Sequence, residues 1–250
     1  MKVGDLQDTL KDCLATKAFP CVLLQSAPGT GKTESVRWVA NELIHTDGKP
    51  YDLLILHPVG RDQSFIGGYP TIVNGAATHV AYGDLKQLQD ATRPIICLID
   101  DFGQCAPSVQ AAFQQLIQER AFNGVRVAPE VRFVICTNRK DDRAGVTGLL
   151  STISDRALIL DVEPDVERLV QFLTEHYPDV PELGAFLIKR PGLVLDYAAS
   201  EETKRGKVVG VPSPRKIEYL AKIRRLKLKG AAELELATGA VGKNFASEFL

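Results

Sequence analysis

No apolar run in this chain of 250 residues approaches the ~18 that a helix needs to cross a bilayer. Residues 1–10 are polar and acidic, without the basic start and apolar stretch of a secretory signal. Charge of one sign is missing as well: 30 Lys and Arg stand against 31 Asp and Glu, a formal net charge of −1. Such a chain has no bulk attraction for nucleic acid or anionic membrane, so any contact of that kind must come from a local patch. The five cysteines are odd in number and scattered, with no CxxC pair, and the four histidines lack HExxH spacing. That excludes a disulfide framework and leaves no zinc signature. Trp38 and Tyr51 do not form the repeated aromatic pattern of a single-strand binder. The expectation is a soluble, cytoplasmic protein with no membrane contact and an ordinary globular balance of 45% hydrophobic and 24% charged residues.

Against these absences, strand and helix patterns alternate. Apolar strand-like runs occupy residues 21–25, 51–57, 94–99, 131–137 and 157–160, and residues 31–45 carry apolar side chains at helical spacing. Continuous apolar strands separated by helices predict a parallel sheet covered on both faces, with ligands beyond the carboxyl ends of the strands. Residues 60–83 are glycine-rich and hold an Asn74-Gly75 step, a hairpin signal. Residues 121–130 read as a second short excursion. After Pro164 the pattern turns helical, over 165–176 and again over 211–229, while the last twenty residues lack strong periodicity. The predicted division is a nucleotide-binding domain at 1–163, a small helical domain at 164–229 and a tail at 230–250.

Ser26-Ala27-Pro28-Gly29-Thr30-Gly31-Lys32-Thr33 follows a predicted strand and opens a predicted helix, the setting a phosphate loop requires. Glycines let backbone N–H groups turn toward phosphates, and the helix N-terminus adds partial positive charge. Lys32 would place an ammonium near the β- and γ-phosphates of ATP, and the Thr33 hydroxyl would ligate Mg²⁺. The motif normally opens with glycine, and here Ser26 stands in that place. The third strand ends in Asp100-Asp101. Asp100 is placed to hold the magnesium shell, and Asp101 to act as general base on water. Aspartates at a strand end also serve as helix N-caps, the plainer alternative.

These segments, in this order, resemble the AAA+ ATPases and within them the MoxR-like group. The resemblance runs from about Ala27 to Lys222 through SAPGTGKT, SFIGGYP, YGDLKQLQ, PIICLIDD, APSVQAAFQQLIQER, VRFVICTNR, LLSTISDRA and PSPRKIEYLAK. It implies an α/β fold: a P-loop AAA+ three-layer parallel-sheet domain followed by a small helical lid domain. It also implies that Asn138 is the sensor-1 residue and Arg215 the sensor-2 arginine. Arg156 matches the arginine that reaches a neighbouring subunit's nucleotide, with Arg139 and Arg143 as competitors. A homo-oligomer is implied, a hexameric ring, acting on a partner protein that often bears a von Willebrand A-type domain. Most members have aspartate-glutamate where this chain has Asp100-Asp101, so slow hydrolysis is expected.

Residues 60–83 resemble an insertion that faces a pore or a partner in this family. Phe65-Ile66-Gly67 fits a pore-loop pattern, although packing of Phe65 and Ile66 at a helix start is the simpler expectation. His57 ends the second strand and is expected near the γ-phosphate, packed or solvent-facing. The basic run Lys216, Lys222, Arg224, Arg225, Lys227 and Lys229 would touch nucleic acid or an acidic partner unless it is a solvated face. Two further functions compete with a protein remodeller: a nucleotide-gated assembly on DNA or a scaffold, and a small-molecule kinase. The last leaves Asn138, Arg156 and Arg215 unexplained.

Overall fold

The computed structural model describes residues 1–139, 148–194 and 209–250. Arg143, one of the competitors for the arginine role, lies outside the described residues. The chain divides into two units, the first built on residues 5–26 and 32–162 with Met1, the second on residues 2–4, 27–31 and 163–250.

Five parallel strands form the sheet of the first unit: β1 (Cys21–Ser26), β2 (Asp52–Leu56), β5 (Ile95–Ile99), β8 (Val131–Asn138) and β9 (Ala157–Asp161), in the order β2-β5-β8-β1-β9. They are the five runs marked by apolar composition. Alternate residues point to opposite faces. On one face Cys21, Leu23, Cys97, Ile99, Phe133 and Ile135 join a core with α4 (Gly83–Gln89) and α5 (Pro107–Glu119). On the other, Val22, Leu24, Leu98, Val134 and Cys136 are equally buried, as in a sheet covered on both sides.

Helix α2 (Lys32–Glu42) follows β1, and α1 (Val3–Thr16) precedes it. The polar composition of residues 1–10 conceals α1, yet it buries Leu6, Leu10 and Leu14 at four-residue spacing. A short helix, α3 (Ser64–Gly67), leads into a hairpin of β3 (Tyr69–Val73) and β4 (Ala76–Val80) that turns at Asn74-Gly75, and a second hairpin joins β6 (Ala121–Phe122) to β7 (Val125–Arg126). Phe65 and Ile66 are buried in the core, so they pack the start of α3 rather than face a pore. Every residue of β3 and β4 is exposed. The last helix of this unit is α6 (Ser151–Ser154).

The second unit gathers α7 (Val166–His176), α8 (Pro181–Lys189), α9 (Pro214–Arg225), α10 (Ala231–Val241) and α11 (Lys243–Phe249). Their core holds Leu169, Leu173, Leu183, Leu187, Ile217 and Leu220, and also Ala237, Val241 and Phe245. The residues read as a tail therefore form two packed helices. Periodicity fails there because α10 buries small alanines while Leu234 and Leu236 stay exposed. Asp165 caps α7 by accepting from the Arg168 N–H at 3.1 Å, and Ser213 caps α9 by accepting from the Lys216 N–H at 3.4 Å. Among the described residues no helix is long and apolar enough to cross a membrane.

Two measurements check this packing. Leu10→Ala should lower the unfolding free energy by about 2–5 kcal/mol, seen in a urea titration, while Asp8→Ala on the exposed side of α1 shifts it by less than ~0.5 kcal/mol. Burial pushes the Cys21 thiol up to about 12 and that of Cys105 up to about 11, and raises those of Cys97 and Cys136 further. At pH 8 a thiol reagent should therefore leave these four unmodified in the native protein and react with them once it is denatured.

Candidate functional site

The carboxyl ends of β1, β5 and β8 bring several of the sequence-predicted site residues together. Strand β1 ends at Ser26, which pairs in register with Asn138 at the end of β8. Lys32 opens α2 and its side chain turns back to this pair. Its Nζ donates to Ser26 Oγ at 2.9 Å and to Asn138 Oδ1 at 3.0 Å, and approaches the Ser26 carbonyl at 3.4 Å. All three residues are buried. A buried ammonium is costly unless its donors are met, and here neutral oxygens meet them.

Ser26 thus has a role that sequence reasoning missed. Glycine opens the usual motif, so serine reads there as a small substitute for a turn residue. The turn begins later: Ser26 is still strand, and positive φ within the loop occurs at Gly29 (75°) and Gly31 (109°). The signal was the hydroxyl itself, standing where glycine offers no acceptor.

Residues 27–31 belong to the second unit. Thr30 Oγ1 donates to the Ala27 carbonyl at 2.7 Å and closes the loop on itself. A Cβ placed on Gly29 would come within 2.8 Å of Ser213 Oγ and 3.5 Å of Arg215 Cβ, so a side chain there is barred by contact as well as by φ. Within this unit, then, the start of α9 lies against the phosphate-loop segment, with Pro28 between Ala27 and the glycine.

In the first unit Thr33 Oγ1 donates to Asp100 Oδ2 at 2.9 Å. Asp100 continues β5, its N–H reaching the Leu56 carbonyl at 2.9 Å. Asp101 is exposed, has φ 52° and ψ 31°, and gives its N–H to Asp100 Oδ1 at 3.0 Å. The next residue, Phe102, is fully buried and meets Phe113 edge to face at 5.6 Å, which anchors the acidic pair.

The arginines sort by end of the sheet. Arg139 follows Asn138 and binds Asp161 at the end of β9, through Nε at 3.2 Å and Nη2 at 3.1 Å. Arg156 precedes Ala157, which pairs with Cys21, so it stands at the amino ends of β9 and β1. The five residue steps of β1, at roughly 3.3 Å each, separate it from Ser26 by about 17 Å. Its Nη1 donates to the Thr152 carbonyl at 2.7 Å. His57 follows β2 and is exposed. In the basic run, Arg224 pairs with Glu182 and Glu233, Arg225 Nε with Asp179 at 2.9 Å, and Lys222 with Glu218 at 2.8 Å. That stretch is largely a solvated, internally paired face.

Known proteins bear on this geometry in three ways. No curated protein matches the chain. Solved structures of Thermotoga maritima RuvB do, at the level of fold. One variant shares 15% identity over 98% of this chain and 66% of its own, with a TM-score of 0.57. A structure titled the RuvB Holliday junction branch migration motor shares 15% over 99% and 67%, with a TM-score of 0.56. This chain thus spans about two thirds of the length of those proteins. A family described as the AAA domain, dynein-related subfamily, matches residues 21–157. That match runs from the first residue of β1 to the first of β9 and encloses Ser26, Lys32, Asp100, Asn138 and Arg156 alike, and the chain accordingly belongs to the dynein-related AAA domains.

Proposed function

We propose that this chain is an ATPase that binds MgATP at residues 26–33, acts as a ring, and remodels a partner protein. The observation that carries the reading is the opposed placement of Lys32 and Arg156 in one sheet. Lys32, Asn138, Asp100 and Thr33 gather at one end, and Arg156 lies about 17 Å away at the other. An arginine so placed cannot serve the loop of its own sheet. It is well placed to enter the site of an adjacent copy, where it neutralises charge developing in phosphoryl transfer.

Within the site, Ser26 and Asn138 hold the Lys32 ammonium ready for phosphate oxygens. Thr33 and Asp100 would hold magnesium: two hard oxygen donors stand side by side, the set that cation prefers. Bound there, the ion would offset charge on the phosphates. Asp101 would take the proton of the attacking water as its oxygen bonds to phosphorus and the bond to ADP breaks. Asn138 would orient that water. Arg215, beside Gly29 in the second unit, would sense the phosphate end and couple it to the helices from residue 164 onward, which we read as a lid. The one-methylene shortfall of Asp101 against glutamate would make turnover slow.

The hairpin favours a protein as the target. Residues 69–82 contain no Asp, Glu, Lys or Arg, yet Tyr69 is 64% and Ile72 75% exposed. An exposed surface with apolar side chains and no fixed charge suits a protein partner and offers nothing to attract a phosphate backbone. Together with the pairing of the basic run, this ranks the remodeller above a DNA-bound assembly. The order of segments supports a MoxR-like role in the cytoplasm, a hexameric state and a partner with a von Willebrand A-type domain.

ATP turnover tests the reading. Lys32→Ala should lose binding or turnover. Asp101→Ala should keep binding and lose turnover by about 10²–10⁴-fold. Arg156→Ala should lose turnover by roughly 10³-fold or more while binding nucleotide normally. Mixing Lys32→Ala with Arg156→Ala subunits should restore part of the activity, because one intact loop then meets one intact arginine. Wild-type turnover per subunit should fall on dilution. Activity in Arg156→Ala equal to wild type, or turnover independent of concentration, would remove the shared site.

A further inference from the structure

A pocket of about 350 Å³ in the first unit is lined by three cations, Lys17, Arg120 and Arg132, and by no carboxylate. It lies by the end of α1, the start of β1, the end of α5 and the start of β8, the ends of the strands opposite the phosphate loop. Nothing in the hydrolytic reading uses it.

Arg132 is 7% exposed. Its Nε donates to the Leu14 carbonyl at 3.2 Å, and its Nη1 to the carbonyls of Pro129 at 3.2 Å and Val131 at 3.3 Å. Its Nη2 is shielded from solvent and makes no hydrogen bond; Glu130 Oε2 stands 3.5 Å away, in ion-pair range but without hydrogen-bond geometry. A buried guanidinium nitrogen left in that condition is costly. Arg120 gives Nη1 to the Val131 carbonyl at 2.9 Å and Nη2 to the Ala128 carbonyl at 2.6 Å, neutral acceptors that leave its charge uncancelled. Burial, then repulsion from Arg132, pushes its pKa down. Lys17 takes both oxygens of Glu130, at 3.1 and 3.0 Å. Glu130 is therefore shared by Lys17 and Arg132 and is the one carboxylate whose charge acts on Arg120.

The three cations outnumber Glu130 and Asp12, the latter acting on the lining residue Cys13, and leave an excess that an anion would satisfy. The remaining wall includes Phe19, Pro20, Ile117 and Phe133, so the space suits an anion with an apolar body. We infer that this pocket binds a small molecule carrying a phosphate or carboxylate, drawn by the combined charge of Arg120 and Arg132 in its wall and of Lys17 at its mouth.

The test uses the full chain in a Lys32→Ala background, so that the phosphate loop contributes little. Inorganic phosphate and phenyl phosphate are titrated by calorimetry and by thermal unfolding, with sodium chloride at matched ionic strength as control. Both phosphates should bind saturably and raise the melting temperature above the chloride control, phenyl phosphate the tighter. Lys17→Ala, a change at a half-exposed side chain, should weaken binding about tenfold, the loss of one charge-assisted hydrogen bond. Gln118→Glu, which sets an acid in the wall from an exposed position, should abolish it. Phosphate effects no larger than those of chloride, or binding that survives Gln118→Glu, would overturn the assignment. MgATP binding to the wild-type chain is read separately, so failure of the pocket leaves the nucleotide site untouched.

Discussion

One buried ammonium organises this molecule. Lys32 sits at the start of a helix, and its side chain returns to the strand that precedes the loop, where the Ser26 hydroxyl and the Asn138 amide oxygen receive it. The contact joins the ends of two adjacent strands to the first turn of the helix. The sheet register, the length of the loop and the position of the acidic pair all have to agree for it to form. The Ser26 and Asn138 oxygens solvate the buried charge and fix its position at the ends of the two strands.

That arrangement gives the sheet a direction. The carboxyl ends carry the lysine, the hydroxyl and carboxylate of Thr33 and Asp100, and the Arg139–Asp161 pair. The amino ends carry Arg156 and the cation-lined pocket. A parallel sheet makes this separation cheap, since every strand presents the same end to the same side. Any chemistry needing groups from both ends has to bring two copies together.

Much of this was legible from the residues. The five strands were readable because each is a mainly apolar run, buried on both faces in the inner strands β5, β8 and β1, and still mainly apolar in the half-buried edge strands β2 and β9. The hairpin was readable from Asn74-Gly75, and the phosphate loop from glycine spacing between strand and helix. Other parts left weaker traces. Helix α1 shows a stripe one residue wide, Leu6, Leu10 and Leu14, inside a polar segment. The last two helices bury alanines, which carry little hydrophobic signal, and expose leucines, which mislead. The role of Ser26 left only a hydroxyl in a glycine's place as its trace, because it depends on a side chain six residues later turning back through space. The cationic pocket was equally hidden, its three members standing far apart in the chain, just after α1, just after α5 and in β8.

Asp101 adopts a left-handed backbone conformation, with φ 52°. Among residues with a Cβ, aspartate and asparagine populate that region most readily, because a short polar side chain can bond locally. The identity of this acid is then a compromise between how far its oxygens extend and what its main chain will tolerate. A longer acid at the same place would extend its oxygens further and hold this main-chain conformation less easily, so the backbone limits which acids the position accepts.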